Sequence, residues 1–380
     1  MRFLIHQRNQ SFPVRSTVAE INISALHNNI RVLRSKAPNS ALMAMVKANA
    51  YGHGMIDCSR EIEDEVDFFG VAVMYEGVTL RLAKITKPIV VMMPPDIYDA
   101  EKFCECDLQM VACSLDLLRD FNQEAKKQNV ILKAHLYIDT GMRRDGIEPH
   151  EAVGFMDACK EFTNISIIGL CTHFATADDL DKTFAREQLE KFNGAVQALH
   201  NAGYTFQYIH AANSGAVFHH PDAHFNMIRP GLSLYGIAPA NTVNTGLQPV
   251  LSLKTRINAL RRIQPGESVS YGRRFIAAQA TTIATIPIGY GDGYSRLLTG
   301  KGMCLLHGKR FQIVGTICMD ECMIDVGNEP VDLGDDVVLI GTQGNATISV
   351  NEIADTIGTI PYDITTLITA RVPRVLVGKT

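Results

Sequence analysis

The stretch Ala41-Leu-Met-Ala-Met-Val46 runs directly into Lys47-Ala-Asn-Ala-Tyr-Gly-His-Gly54, setting an unbroken apolar run against a polar, glycine-bounded loop. An uninterrupted apolar run of that length reads as a strand buried on both faces, the signature of a parallel sheet covered by helices. Runs of the same texture recur near 68–73, 88–92, 108–112, 132–138, 165–171, 207–210 and 226–228, with amphipathic segments between them. About eight such units in roughly two hundred residues predict an α/β fold, a (β/α)8 TIM-like barrel over 22–240, with chemistry at the C-terminal ends of its strands. Among the intervening helices, 24–36 carries Leu26, Ile30 and Leu33 at helical spacing, with Ser24 as the expected N-cap, and a second spans 183–201.

From about 245 the texture changes to short Val-, Ile- and Thr-rich runs broken by Gly and Pro, for example 281–288, 311–317 and 336–340. This predicts a C-terminal mainly-β domain over 245–380, with a late helix at 350–357. The alternating segment Thr17-Val-Ala-Glu-Ile-Asn22 suits a strand, and residues 1–21 are expected to pair with that domain.

With 380 residues and 46% apolar content, the chain is long enough for both domains. Lys plus Arg number 36 against 40 Asp plus Glu, a formal charge of −4 without long runs of one sign. That pattern argues against nucleic-acid or membrane partners and favours small-molecule chemistry. Nine cysteines are scattered; Cys104/Cys106 and Cys318/Cys322 lack the further ligands of a zinc site, so no metal and free thiols are expected. The opening Met-Arg-Phe-Leu-Ile-His-Gln-Arg turns polar before a signal-length apolar core develops, and no uncharged stretch reaches membrane-spanning length. A cytoplasmic protein is the expectation.

Chemically loaded residues repeatedly follow a candidate strand. Lys47 sits where a buried strand meets its loop; partial desolvation lowers an amine's pKa and equips it to attack a carbonyl such as the aldehyde of pyridoxal phosphate. A lone lysine after a strand is more often an ordinary loop residue, but Tyr51, Gly52, His53 and Gly54 supply a hydroxyl and permissive backbone beside it. After 132–138 comes Asp139-Thr-Gly-Met-Arg-Arg-Asp-Gly146, whose Arg143 and Arg144 could hold an anion or simply be solvated. His173 follows the sixth strand and fits a satisfied core histidine equally well. His210-Ala-Ala-Asn-Ser-Gly215 and Arg229-Pro-Gly-Leu-Ser-Leu-Tyr-Gly236 follow the last two strands, where Ser214 and the amides near Gly231 and Leu232 suit a phosphate; Asn213 or Ser214 could also just cap a helix. Arg229 against a pyridine nitrogen would keep that nitrogen unprotonated, though one arginine is equally compatible with a structural ion pair. In the β domain Tyr271 stands between Ser270 and Gly272, too turn-like for a core aromatic, and a phenol with a lowered pKa is a competent acid or base. Loops at 288–294 and 318–322 add Tyr290, Met319 and Asp320.

Taken in order, Val46-Lys-Ala-Asn-Ala-Tyr-Gly-His-Gly54, His173-Phe-Ala-Thr-Ala-Asp178, His210-Ala-Ala-Asn-Ser214, Arg229-Pro-Gly231, Val269-Ser-Tyr-Gly272 and Cys318-Met-Asp320 resemble alanine racemase, a fold-type III pyridoxal-phosphate enzyme, over roughly 17–375. The resemblance implies racemisation of L- to D-alanine for peptidoglycan. Lys47 carries the cofactor and is the base on the D face, and Tyr271, reaching in from the partner of a homodimer with composite sites, acts on the L face. It further implies Tyr51, Ser214, Gly231 and Tyr362 around the phosphate. Arg229 faces the pyridine nitrogen, and His173 and His210 support the pocket. Arg144, the main-chain amide of Met319, Tyr290 and Asp320 belong to the substrate's surroundings. Two departures stand out: the family's lysine, often carbamylated, two residues before Asp139 is Tyr137 here, and the usual glycine after Met142 is Arg143. No carbamate can form on Tyr137, and the choice between Arg143 and Arg144 is open. A serine or broad-specificity racemase is the nearest alternative; a non-catalytic pyridoxal-phosphate carrier would lack the β domain.

Overall fold

The computed structural model describes residues 15–379; the opening octapeptide read above for the absence of an export signal lies outside them. Two compact units result: Asn22–Val250 with 378–379, and 15–21 with Leu251–Val377.

The chain enters through strand β1 (Val18–Asn22) and helix Ile23–Lys36. The Asn22 side chain, rather than Ser24, caps that helix, accepting from the Ala25 amide at 3.0 Å; Ser24 lies inside the first turn, its hydroxyl donating to the Gly378 carbonyl. The apolar runs then become β2 (Ala41–Met45), β3 (Phe68–Val71), β4 (Ile89–Val91), β5 (Leu108–Ala112), β6 (Leu132–Tyr137), β7 (Ile165–Cys171), β8 (Tyr208–His210) and β9 (Met227–Ile228). All neighbours are parallel, in the order β8-β7-β6-β5-β4-β3-β2-β9. Between β8 and β9 the Asn226 side chain bridges the gap, accepting from the Ile209 amide and donating to the Gln207 carbonyl, so the eight strands make a nearly closed TIM-like barrel.

Strands buried on both faces account for the unbroken apolar runs: β3, β4 and β5 are buried at every residue. Helices on the outside keep the amphipathic period; Leu115–Gln128 buries Leu117, Leu118, Phe121 and Ala125 and ends at Asn129 in the left-handed conformation. Each fully buried Leu or Phe of this kind contributes roughly 1.5–3 kcal/mol relative to exposure.

The second unit is an antiparallel β structure. Its strands are β10 (Leu251–Arg256), β11 (Ala259–Ile263), β12 (Ser268–Val269), β13 (Phe275–Ile276), β14 (Thr281–Ile286), β15 (Met303–Leu306), β16 (Lys309–Val314), β17 (Cys322–Gly327), β18 (Asp336–Gln343), β19 (Ala346–Ile348) and β20 (Arg374–Val377). The main sheet runs β11-β14-β17-β16-β15-β18-β10-β1-β20, so the first described strand lies between β10 and β20. Alternation explains β1: Ala19 and Ile21 are fully buried, while Glu20 on the opposite face pairs with Lys254 at 2.6 Å. The predicted late helix is present as Val350–Ile357, capped by Ser349.

No helix among the described residues is long and apolar enough to cross a membrane. All nine cysteines are unpaired thiols, and burial pushes those of Cys58 and Cys171 up to about 12.

Candidate active site

Lys47 directly follows β2 and Val46, whose amide is held by the Gly70 carbonyl at 2.8 Å. The chain then winds the wrong way: Ala48, Asn49, Ala50 and Tyr51 all have φ between 51° and 56°, a left-handed turn made without glycine. L-residues resist this conformation by roughly 1–2 kcal/mol each, so neighbouring contacts must hold it. They are numerous. Glu76 accepts from the Ala48 amide at 2.6 Å and the Ala72 amide at 2.8 Å; the Asn49 side chain accepts from the Met55 amide, and the Asn49 carbonyl from Gly54. His53 Nδ1 sits 3.0 Å from the Ala50 and Tyr51 carbonyls, and its ring stacks on Tyr235, whose hydroxyl donates to the Met45 carbonyl. The turn thus fixes Lys47 at the strand's end and swings Tyr51 inward. Burial holds the Lys47 amine below its ordinary pKa, and the charges of Arg144 and Arg229 lower it further against the opposing Glu76.

Tyr51 arrives hard against Gly231: a Cβ there would lie 2.3 Å from the Tyr51 hydroxyl. Ser214 Oγ accepts from the Gly231 amide at 2.9 Å and the Ser233 amide at 3.2 Å, while Asn213 caps the short helix Ser214–His219. Leu232 opens a four-residue 3-10 turn, Leu232–Tyr235, rather than an α-helix. With its oxygen accepting both amides, the Ser214 hydroxyl keeps its O–H to donate, and together with the Tyr51 phenol at Gly231 it makes a cradle for an oxyanion.

Arg229 follows β9 with 3% of its surface exposed. Its Nη1 donates to His210 Nδ1 at 2.7 Å, and its Nη2 to the Thr172 carbonyl at 2.7 Å, with His173 Nδ1 and the Ala211 carbonyl each 3.4 Å away. Burial, reinforced by Arg229 and then by Arg144 and Lys47, brings His173 down to about 3, so it stays neutral. Arg144 also acts on Tyr137, whose hydroxyl is buried without a hydrogen bond of good geometry; burial raises that phenol to about 12. Arg143, in the left-handed region, instead turns to Glu148 and Asp139. The guanidinium whose charge reaches Lys47 and Tyr137 is therefore Arg144.

Of the residues singled out in the sequence, Lys47, Tyr51, Arg144, His173, His210, Ser214, Arg229, Gly231 and Leu232 all lie in the barrel, at or just beyond the C-terminal ends of its strands. The others form a separate group in the C-terminal unit. Tyr271 sits in the turn between β12 and β13 with 73% of its surface exposed. Thr316 donates to its carbonyl at 2.7 Å and Ser270 donates to the Thr316 carbonyl at 2.6 Å, pinning this turn to 315–318. Tyr290 and Met319 share a second junction, where the Tyr290 amide binds the Cys318 carbonyl and Gly291 the Met319 carbonyl. Only glycine suits position 289, since a Cβ there would meet the Cys318 carbonyl oxygen at 2.2 Å. The Asp320 carboxylate is engaged by Arg371 at 2.6 Å. Tyr362 stands on the helix Pro361–Thr366, its ring partly exposed.

Sequence reasoning missed Glu76, Gln109 and His135. The last two lie inside the barrel behind His210: His135 Nδ1 is 2.9 Å from His210 Nε2, and His135 Nε2 is 3.0 Å from Gln109 Oε1. Their trace in the sequence is a polar residue within a strand, Gln109 in β5 and His135 in β6, with nothing to show which way it faces.

Residues 21–239 match the model of the alanine racemase N-terminal domain, and 250–376 that of the alanine racemase C-terminal domain. The chain is 40% identical over 378 residues to the alanine racemase of Geobacter sp. strain M21, covering 96% of this chain and 99% of the relative. It is also 40% identical over 364 residues to that of Methanococcus maripaludis, covering 94% and 97%. Among solved structures, the alanine racemase of a D-cycloserine-producing Streptomyces lavendulae superposes with a TM-score of 0.92 at 32% identity, covering 97% of this chain and 99% of that one. The Bacillus anthracis alanine racemase with bound L-Ala-P superposes with a TM-score of 0.91 at 32% identity, covering 97% of each. With matches to both domain models along nearly its whole length, the chain belongs to the alanine racemase family.

Proposed function

We propose that the protein interconverts L- and D-alanine using pyridoxal phosphate held on Lys47, and so supplies D-alanine for peptidoglycan. The observation that carries this is the meeting, at one end of the barrel, of an amine of depressed pKa, a buried arginine and an oxyanion cradle. Gly231 supports the fit: its missing side chain lets the Tyr51 hydroxyl approach the Ser214 hydroxyl where a phosphate would be received. Tyr51, Ser214, Gly231, Leu232 and Tyr362 would hold that phosphate, and Arg229, His210 and His173 would face the ring.

When bound, the cofactor supplies an electron sink that acidifies the substrate's α-carbon–hydrogen bond. The chain's own residues do the rest. Arg229, a buried guanidinium, would keep a ring nitrogen facing it unprotonated, which favours removal and return of one proton over reactions needing a long-lived carbanion. Lys47 Nζ moves the proton on the D face. The Tyr271 hydroxyl of a second copy moves it on the L face, so a homodimer with composite sites is part of the proposal. Arg144, Tyr290 and the Met319 amide receive the substrate carboxylate, and the Arg371-bound Asp320 orders that loop.

Purified protein supplied with pyridoxal phosphate and L-alanine, with product chirality measured, tests the proposal. Racemisation is expected, and Lys47→Ala is expected to abolish both turnover and the visible absorbance of the bound cofactor. Tyr271→Phe should slow α-proton exchange from L-alanine far more than from D-alanine. Equal loss in both directions would remove the two-base assignment.

A further inference from the structure

Arg229 is a buried cation whose partners are all neutral: His210, His173 and two main-chain carbonyls. A guanidinium has only N–H groups and cannot accept, so His210 Nδ1, 2.7 Å from Nη1, must be the acceptor. A neutral imidazole that accepts at Nδ1 carries its proton on Nε2. That proton points at His135 Nδ1, 2.9 Å away, which therefore also accepts. His135 in turn carries its proton on Nε2 and donates to Gln109 Oε1 at 3.0 Å. Three hydrogen bonds thus run in one direction, from Arg229 through His210 and His135 to Gln109. Reversing either imidazole would turn a donor toward a donor. Burial keeps both rings neutral, His135 falling to about 3 and His210 well below its ordinary value.

The backbone is shaped for this chain of bonds. His135 on β6 stands opposite Gly169 on β7, where a Cβ would lie 1.9 Å from His135 Nδ1. The ladder slips at the same place: Ala134 pairs with Ile167 but His135 with Gly169, a local irregularity that opens the slot. On the far side the Tyr208 ring stacks on the imidazole, with centroids 6.4 Å apart. Gln109 closes the end of the relay at 4% exposure, in a layer where barrels usually place Val, Ile or Leu.

We infer that Gln109 and His135 are positioning residues that receive the proton His210 must carry on Nε2, so that Arg229 keeps only acceptors on its inner side and is held in a single orientation at the site. The inference rests on the proposed cofactor site, but its proton direction is measurable without cofactor. In protein labelled with 15N at histidine, long-range 1H–15N spectra report each tautomer, with assignments from His135→Gln and His210→Gln. Both rings are expected as neutral Nε2–H forms at neutral pH. An Nδ1–H or cationic His210 in the unmodified protein would overturn the inference, and that measurement needs no variant. Gln109→Leu keeps the bulk and removes the terminal acceptor. It should leave the His135 Nε2–H without its acceptor, shift the His135 signals while His210 stays Nε2–H, and weaken pyridoxal phosphate binding roughly tenfold, the scale of one buried hydrogen bond to a charged network. Unchanged His135 signals and unchanged cofactor affinity in Gln109→Leu would also overturn it. Absence of any visible cofactor band in the unmodified protein sinks the functional proposal instead, and leaves the tautomer result standing.

Discussion

Tyr137 lies two residues beyond His135 on β6, 2% exposed, with a hydroxyl that finds no well-formed hydrogen bond. Burial dominates its environment and raises its pKa to about 12, so the phenol is neutral. A neutral group orients Arg144 less firmly than a negative one would, leaving Arg144 paired with Asp145 at 3.0 Å. Removing a buried polar atom whose neighbour, the Arg144 guanidinium, meets it only in poor geometry relieves a desolvation penalty. Tyr137→Phe is therefore expected to leave the unfolding free energy unchanged or raise it by about 1 kcal/mol, read from urea denaturation. A clear loss of stability would mean that the hydroxyl is bonded after all.

The left-handed turn Ala48–Tyr51 shows how an element can be over-determined from outside, because its propensity opposes its shape while Glu76, Asn49 and His53 enforce it. Ala48 is exposed, so its substitutions report on backbone strain alone. Ala48→Gly should stabilise the fold by up to about 1 kcal/mol, and Ala48→Val should destabilise it by about 2 kcal/mol, since a β-branched side chain resists positive φ most. Thermal or urea unfolding of the two variants checks the opposite signs. This turn was not legible in the sequence, because glycine is the residue that announces positive φ and Ala-Asn-Ala-Tyr contains none. The barrel strands were legible, since burial on both faces writes itself as an unbroken apolar run in β3 and β4. So was the gathering of Lys47, His210 and Arg229 at strand ends, because chemically loaded residues directly follow those runs. Gln109 and His135 were not: a single polar residue inside a strand looks the same whether it faces water or a buried partner, and only the Gly169 slot distinguishes them.

At the scale of the molecule, burying neutral histidines links stability to pH. His135 and His173 have pKa values near 3 in the fold against 6.5 when exposed, so the unfolded chain binds their protons first as pH falls. The stability these neutral rings confer is complete above pH 6.5 and is lost progressively toward pH 3, by up to about 1.4 kcal/mol per pH unit for each histidine. Unfolding free energies measured between pH 7 and pH 4 should fall accordingly, and His135→Gln should flatten the slope. The proposed composite sites make a second prediction. Co-expressed Lys47→Ala and Tyr271→Ala chains, each inactive alone, should regain about a quarter of normal turnover, since half the dimers are mixed and each of those restores one site of two. Independent, self-contained sites would give none.

The place of β1 between β10 and β20 has a practical consequence. A gene split after Val250 would encode a C-terminal fragment with a missing middle rung, its β10 backbone exposed as a bare edge and its last strand stranded. A short synthetic peptide spanning 15–22, added in trans, is the natural patch for that gap.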